Sequence, residues 1–310
     1  MNYDRSIVPF SSLDVEHLKH YYTYYTSDIH DLNMTNLLIW RKKHDLHWTS
    51  IGGYLWYVYT PSDPFNVIFS EPVGDYRDIE ALKNAVRLWL QYCDTHGIPR
   101  RFRLVGEAFK QILEDMNLIE NMIAVEDNFD YCYETTSLAT LSGNRYHKKK
   151  NHLNQFVKKY EGAYAIQSIS EENALDAFQA AKKWCIANGC GEDLDLCFEY
   201  NGIQEILNHW AFYQSIGLEG VVIYVDDSPV ALTFGEFIPN DTFLVHIEKA
   251  DQTVQGIYTA INHAMANQVI GRCQTLNREQ DMGIEGIRKA KQSYHPSHLV
   301  TKYNVNIKSS

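Results

Sequence analysis

The stretch Leu276–Pro296, LNREQDMGIEGIRKAKQSYHP, gathers side chains that bind ligands and move protons. Asn277, Arg278, Glu279, Gln280 and Asp281 follow a short apolar run marked by Cys273 and Leu276. Gly283 and Gly286 come next, then a helix-like segment with Arg288, Lys289 and Lys291 that stops at Pro296. Loop residues at a strand-to-helix junction are held by the rigid elements on either side, which suits a site. A carboxylate there can accept a proton and a guanidinium can hold an anion. Asp281 is a candidate base, although a neighbouring Arg278 favours its charged form and makes it the better anchor. Arg288 and Lys291 are three apart, share a helix face and are expected to contact an anion. The same residues also fit a solvated turn before a charged surface helix.

A second cluster lies at Arg145-Tyr146-His147-Lys148-Lys149-Lys150-Asn151-His152, with Lys158 and Lys159 beyond. Six of the 28 basic residues fall within fifteen positions of an acidic chain. Leu153, Phe156 and Val157 recur among them at helical spacing, which predicts an amphipathic helix over 142–160 with a basic face. Arg145, Lys148, Lys149, Lys150 and Asn151 are therefore expected to meet phosphate, pyrophosphate or an RNA backbone. A third pair, His246 and Glu248, sits two apart on a predicted strand, where side chains share a face. A carboxylate or a neutral imidazole on such a face can take a proton from an attacking group. Either residue of that pair could supply the base.

The elements that must position these groups fall into two similar progressions. Leu46–Ile51 and Tyr54–Thr60 read as a hairpin about Gly52-Gly53, and 65–69 as a third strand. The helix Asp78–His96 carries an apolar stripe of Ile79, Leu82, Val86, Trp89, Leu90 and Cys93. The strand Phe102–Val105, the helix Ala108–Met116 and the strand Met122–Val125 follow. Later, Val221–Val225 and Val230–Phe237 flank a turn, Thr242–Ile247 is a third strand, and Val254–Val269 is a helix. The strand Cys273–Leu276, the helix Ile284–Ser293 and the strand His298–Val305 complete this set. Helical segments Glu171–Asn188 and 194–216 precede it. Two copies of strand–strand–strand–helix–strand–helix–strand predict tandem α/β units with mixed sheets, spanning 1–135 and 136–310, with the basic helix as linker.

Composition narrows the class. The 310 residues are 45% hydrophobic, enough for two cores. No apolar run approaches the ~20 residues of a membrane span. The N-terminal residues lack the apolar core of a signal peptide. Six scattered cysteines, Cys190 among them, point to reduced thiols, a cytoplasmic setting and no metal site. A net charge of −11 disfavours general DNA binding. The motifs of serine, cysteine and zinc hydrolases and of P-loop enzymes are absent.

The element order is also that of the GNAT acyltransferases, whose glycine-containing loop after the central strand cradles the coenzyme A pyrophosphate. Here that loop is Asp251–Tyr258. Gly256 fits the fourth position of the signature, Thr253 replaces its basic or amide residue, and Tyr258 replaces the last small one. More closely, Glu126–Phe156 (EDNFDYCYETTSLATLSGNRYHKKKNHLNQF) and Leu276–Pro296 resemble the C-terminal domain family of bacterial phosphatidylglycerol lysyltransferases. The resemblance covers nearly the whole chain and implies a tandem GNAT-like fold. That fold is shared more distantly with enzymes that move amino acids from aminoacyl-tRNA onto peptidoglycan precursors.

The resemblance implies an acyl- or aminoacyltransferase acting by direct attack in a ternary complex. The candidate donors are a coenzyme A thioester and aminoacyl-tRNA, and the acceptor is an amine or hydroxyl. A non-catalytic binder of tRNA or a phosphorylated ligand is the alternative. In GNAT-like enzymes the strand of His246 and Glu248 borders the acyl group, and a tyrosine near the position of Tyr294 protonates the leaving group. The cavity is then expected between that strand and Asn277–Asp281, with Tyr258 and Tyr294 on its rim.

Overall fold

The computed structural model describes residues 6–60, 62–63, 65–189 and 197–308. The chain forms two compact units, Met1–Phe129 with Val300–Ser310, and Asp130–Leu299. In the first unit, β1 (Val8–Pro9), α1 (Val15–Leu18) and α2 (Met34–Trp40) precede the hairpin β2 (His47–Ile51) and β3 (Tyr54–Tyr59). Then come β4 (Ile68–Phe69), α3 (Ile79–His96), β5 (Arg101–Val105), α4 (Glu107–Asp115) and β6 (Ile119–Ala124). The predicted stripe of α3 drives this packing. Leu82, Val86, Trp89 and Cys93 are buried, and Trp89 stacks on Phe102 of β5 at 4.2 Å between ring centroids.

The second unit starts with β7 (Asp130–Glu134), α5 (Thr135–Thr140) and α6 (His147–Lys159). Next are β8 (Tyr164–Ser168), α7 (Ala174–Ala187), α8 (Phe198–Asn208) and α9 (Trp210–Ser215). The strands β9 (Leu218–Val225), β10 (Ser228–Ile238) and β11 (Thr242–Ala250) lead to α10 (Ile257–Val269), β12 (Thr275–Asn277), α11 (Glu285–Gln292) and β13 (His298–Val300). The last strand is β14 (Tyr303–Ile307). The helix expected over 194–216 is two helices parted at His209. Its first residues, and Cys190, lie outside the described residues.

The two seven-stranded sheets have the same order. One is β1-β2-β3-β4-β5-β14-β6 and the other β8-β9-β10-β11-β12-β7-β13. In each, three antiparallel pairings lead to one parallel pair, β4 with β5 and β11 with β12. The helices α3 and α10 each join the members of that parallel pair. The sixth place in each sheet is taken by a strand out of sequence order: β7 directly follows β6 yet pairs with β12, and β14 directly follows β13 yet pairs with β5 and β6.

This arrangement moves the expected boundary from 135/136 to 129/130 and returns the C-terminal residues to the first unit. The strand expected at His298–Val305 is two strands in different sheets. Side chains explain the allocation. Tyr131, Cys132 and Tyr133 are all buried, as an interior strand requires. Lys302, at the entry to β14, donates to Asp31 Oδ2 at 2.5 Å and sits 3.0 Å from His30 Nδ1, both in the first unit.

Candidate functional site

Sheet geometry creates the gap in which the candidate residues meet. β11 and β12 pair in register only from Thr242 with Thr275 to Leu244 with Asn277. Past that point β11 runs on to Ala250 while the other chain turns away, and two ion pairs span the opening. Glu248 Oε1 accepts from Arg278 Nη2 at 2.8 Å. His246 Nδ1 and Glu279 Oε1 are 3.0 Å apart.

A bulge separates the partners of His246 and Glu248. Phe234 pairs with Ile247 and Gly235 with Val245, leaving His246 as an extra residue. A Cβ at Gly235 would lie 2.0 Å from the Leu244 carbonyl oxygen, so only glycine fits there. An extra residue breaks the two-residue alternation. His246 turns to Glu236 on β10, its Nε2 3.0 Å from Oε1, whereas Glu248 turns toward Asn262 on α10. The expectation that the pair shares a face is corrected accordingly. Burial opposes charge on His246, but its two carboxylate partners outweigh burial and raise its pKa to about 9. Both ring nitrogens are occupied, so His246 is a clamped cation and not an available base.

Arg278 is held on all sides. With the Asn262 amide oxygen facing it, that oxygen accepts from Nε at 3.0 Å and from Nη1 at 3.3 Å. In that orientation the Asn262 amide no longer donates to Oε2 of Glu248, and Arg278 is the side-chain donor that holds this carboxylate among the described residues. The Tyr294 and Tyr133 rings lie 5.1 and 5.8 Å from the guanidinium carbon.

The rest of the 277–281 segment is built into the protein. Asn277 Nδ2 donates to Asp130 Oδ2 at 3.3 Å, and its Oδ1 accepts from the Glu279 amide. Asp281 is fully buried and accepts from Tyr131 Oη at 2.7 Å, Arg288 Nε at 2.7 Å and Nη2 at 3.0 Å, and the Gly283 amide at 2.8 Å. Burial alone would raise the Asp281 pKa, yet these donors hold it below the usual carboxylate range. Lys291 donates all three protons to the carbonyls of Arg278, Glu279 and Gln280, at 2.5, 2.8 and 2.6 Å. Asp281, Arg288 and Lys291, expected as base and anion contacts, are instead the internal frame that holds the loop carrying Arg278.

The basic cluster divides. Lys148, Lys150 and Arg145 are exposed, and Asn151 bonds to His147 of its own helix. Lys149 alone is half-buried, with Nζ 3.9 Å from the Tyr294 ring centroid. It precedes Leu153 by four and Phe156 by seven, so it falls on the inward stripe of α6. Burial first, then Arg278, pushes its pKa down to about 8, with Glu248 opposing.

The glycine loop is closed. Gly256 caps α10 at φ 80°, and a Cβ there would lie 2.5 Å from the His152 carbonyl oxygen of α6. The Gln255 amide donates to Tyr160 Oη at 3.3 Å, and the Thr253 amide to Asp251 Oδ1 at 2.9 Å. The pyrophosphate cradle expected at Gly256 is thus filled by α6. Tyr258 Oη accepts from Trp184 Nε1 at 2.8 Å, and Tyr294, buried, reaches Thr259 at 3.5 Å.

The first unit closes its own parallel pair differently. Glu71, just past β4 and fully buried, accepts from the Gly106 amide beyond β5 at 2.7 Å and from Tyr25 Oη at 2.8 Å. Its carboxylate thus bridges the chain past the parallel pair β4–β5, as the Glu248–Arg278 pair does past β11–β12. Residues that the sequence did not single out include Tyr133, Asn262, Glu236 and Trp184. Asn262, a buried amide inside the apolar stripe of a predicted helix, was the available signal.

Comparisons with known proteins agree with this architecture. The family described as "Phosphatidylglycerol lysyltransferase, C-terminal" matches residues 22–306. An uncharacterized protein of Mycoplasmoides gallisepticum is 27% identical over 187 residues, 59% of this chain and 57% of its own length. The chain therefore matches little more than half of that curated relative. A conserved protein of unknown function from Bacteroides thetaiotaomicron VPI-5482 superposes with a TM-score of 0.83 at 29% identity, over 98% of this chain and 100% of that one. The structure of L-PGS from Bacillus licheniformis does so at 0.70 and 13% identity, over 99% and 95%. Among the described residues no helix is long and apolar enough to cross a membrane.

Proposed function

The chain belongs to the phosphatidylglycerol lysyltransferase C-terminal family, and from that premise we propose that it transfers an aminoacyl group from aminoacyl-tRNA to an acceptor amine or hydroxyl. Its fold is the tandem GNAT-like α/β fold. The observation that carries the reading is the Glu248–Arg278 pair at the opening between β11 and β12. A carboxylate held by a guanidinium at the parting of these strands supports the reading, because an acyl group enters a GNAT-like sheet there.

In this reading Glu248 takes the proton from the acceptor as it attacks the ester carbonyl, and Arg278 fixes the carboxylate's orientation. Arg278 and Lys149 supply the positive field that both the RNA 3′ end and the developing oxyanion need. Lys148, Lys150 and Arg145, on the exposed side of α6, add contacts to the RNA backbone. The filled loop at Gly256 favours tRNA over coenzyme A, because a pyrophosphate would have to displace α6. The test incubates the protein with tRNA charged with radiolabelled amino acids, and in parallel with acyl-coenzyme A. Acceptors are phosphatidylglycerol vesicles and amine- or hydroxyl-bearing peptides. Label moving from tRNA to an acceptor supports the reading; consumption of the thioester alone overturns it.

A further inference from the structure

Among the described residues, the cations and the Tyr131, Tyr133 and Tyr294 hydroxyls around the Glu248–Arg278 pair are committed with one exception, and burial holds the proton on the Tyr258 hydroxyl, which accepts from Trp184. Arg278 cannot release a proton in the physiological range, and its donors go to Glu248 and Asn262. The three protons of Lys291 go to backbone carbonyls. Tyr133 Oη donates to the Lys291 carbonyl at 2.9 Å, Tyr131 Oη to Asp281 at 2.7 Å, and Tyr294 Oη to Thr259. Both nitrogens of His246 face carboxylates. Lys149 remains. It is half-buried against Tyr294, within electrostatic reach of Arg278 and Glu248, and no hydrogen bond or ion pair of its ammonium is present among the described residues.

We propose that Lys149 is a catalytic residue that protonates the leaving oxygen of the donor ester, a role distinct from the RNA-backbone contacts of its exposed neighbours. The proposal rests on the aminoacyl-transfer reading above and names a further participant in that reaction. The acceptor's lone pair forms a bond to the ester carbonyl carbon, and the acceptor's proton passes to Glu248. The tetrahedral adduct collapses, the bond from carbonyl carbon to ribose oxygen breaks, and that oxygen takes a proton from the Lys149 ammonium. Water then carries the proton from Glu248 back to the Lys149 amine, so no proton is gained or lost. The surroundings suit the task. Burial and the facing Arg278 loosen the ammonium's hold on its proton, whereas an exposed lysine keeps it too tightly at neutral pH.

The experiment compares wild type, Lys149→Arg and Lys149→Met in transfer from charged tRNA across pH 6–10, with circular dichroism melts to confirm folding. Arginine keeps the positive charge but cannot give up a proton. Lys149→Arg is expected to hold KM for charged tRNA within about twofold while kcat falls by about 100-fold or more. The wild type is expected to lose activity above about pH 8, and that loss should vanish in the variant. Lys149→Met should lower kcat and weaken binding together. A second readout needs no turnover: competitive labelling with acetic anhydride, read by mass spectrometry. Lys149 should reach full reactivity at lower pH than Lys148 or Lys150. Lys149→Arg with wild-type kcat, or Lys149 labelling in step with its neighbours, overturns the proposal alone. A wild type that transfers nothing from any charged tRNA overturns the parent reading and this one with it.

Discussion

Across the gap where β11 and β12 part, Arg278 donates from Nη2 to Oε1 of Glu248 at 2.8 Å, and both side chains are largely shielded from water. The two roles assigned to this pair separate by mutation. Glu248→Gln keeps the shape and most of the hydrogen bonding, so kcat should fall about 10²–10⁴-fold with KM nearly unchanged. Arg278→Ala strands a shielded carboxylate and should cost about 3 kcal/mol of stability as well as substrate affinity. Urea unfolding and steady-state kinetics of both variants check this. Equal effects on kcat and KM in Glu248→Gln would falsify its role as base.

His246 makes stability depend on pH. Burial works against its charge, but Glu236 and Glu279 raise its folded-state pKa from the ordinary 6.5 to about 9. Stabilisation from this clamp is fully present below about pH 6.5 and is lost as pH rises through 9. His246→Gln should be less stable than wild type by up to about 3 kcal/mol at pH 6, the difference shrinking toward zero above pH 9. Chemical denaturation of both proteins at pH 6, 8 and 10 measures it. A constant difference over that range would show that only packing is lost.

Gly256→Ala tests whether the loop before α10 is closed. The new methyl meets the His152 carbonyl oxygen, and the residue must also hold φ 80°. The expected loss is about 2 kcal/mol, from strain in the left-handed region. A melting temperature equal to wild type would mean that α6 leaves this loop open.

The strand allocation predicts which fragments fold. Residues 130–300 contain every strand of their sheet and should give a cooperative unfolding transition and dispersed amide resonances. Residues 136–310 lack β7, the interior partner of β12, and should be insoluble or molten. Residues 1–129 lack β14 and should behave in the same way until a peptide covering 300–308 is added. A well-folded 136–310 fragment would contradict the pairing of β7 with β12.

Much of this architecture was legible from local pattern. The stripe of α3, the hairpin at Gly52-Gly53 and the repeated element order are properties of neighbouring residues. β7 was not legible, because Tyr131, Cys132 and Tyr133 are buried together and show no alternation. Nor could periodicity show the exchange of β7 and β14, since neither strand differs locally from one that pairs with its sequence neighbours. In the site, Glu248 and Arg278 meet as their positions suggested. Spacing could not tell that Asp281, Arg288 and Lys291 spend their charge on partners inside the protein. The partners of His246 depend on a bulge opposite Gly235, which exists only once two strands pair.

The place of β14 sets a timetable for synthesis. The first sheet has five of its interior and edge strands, and then β6, by residue 124, yet the strand between β5 and β6 emerges about 180 residues later. At bacterial or eukaryotic elongation rates that interval is roughly 10–35 s. During it the facing edges of β5 and β6 stay open, a hazard for nascent chains on crowded ribosomes. The second unit, begun later, has all its strands first. Its completion precedes that of the unit made before it, and β14 is the stitch that closes the earlier sheet.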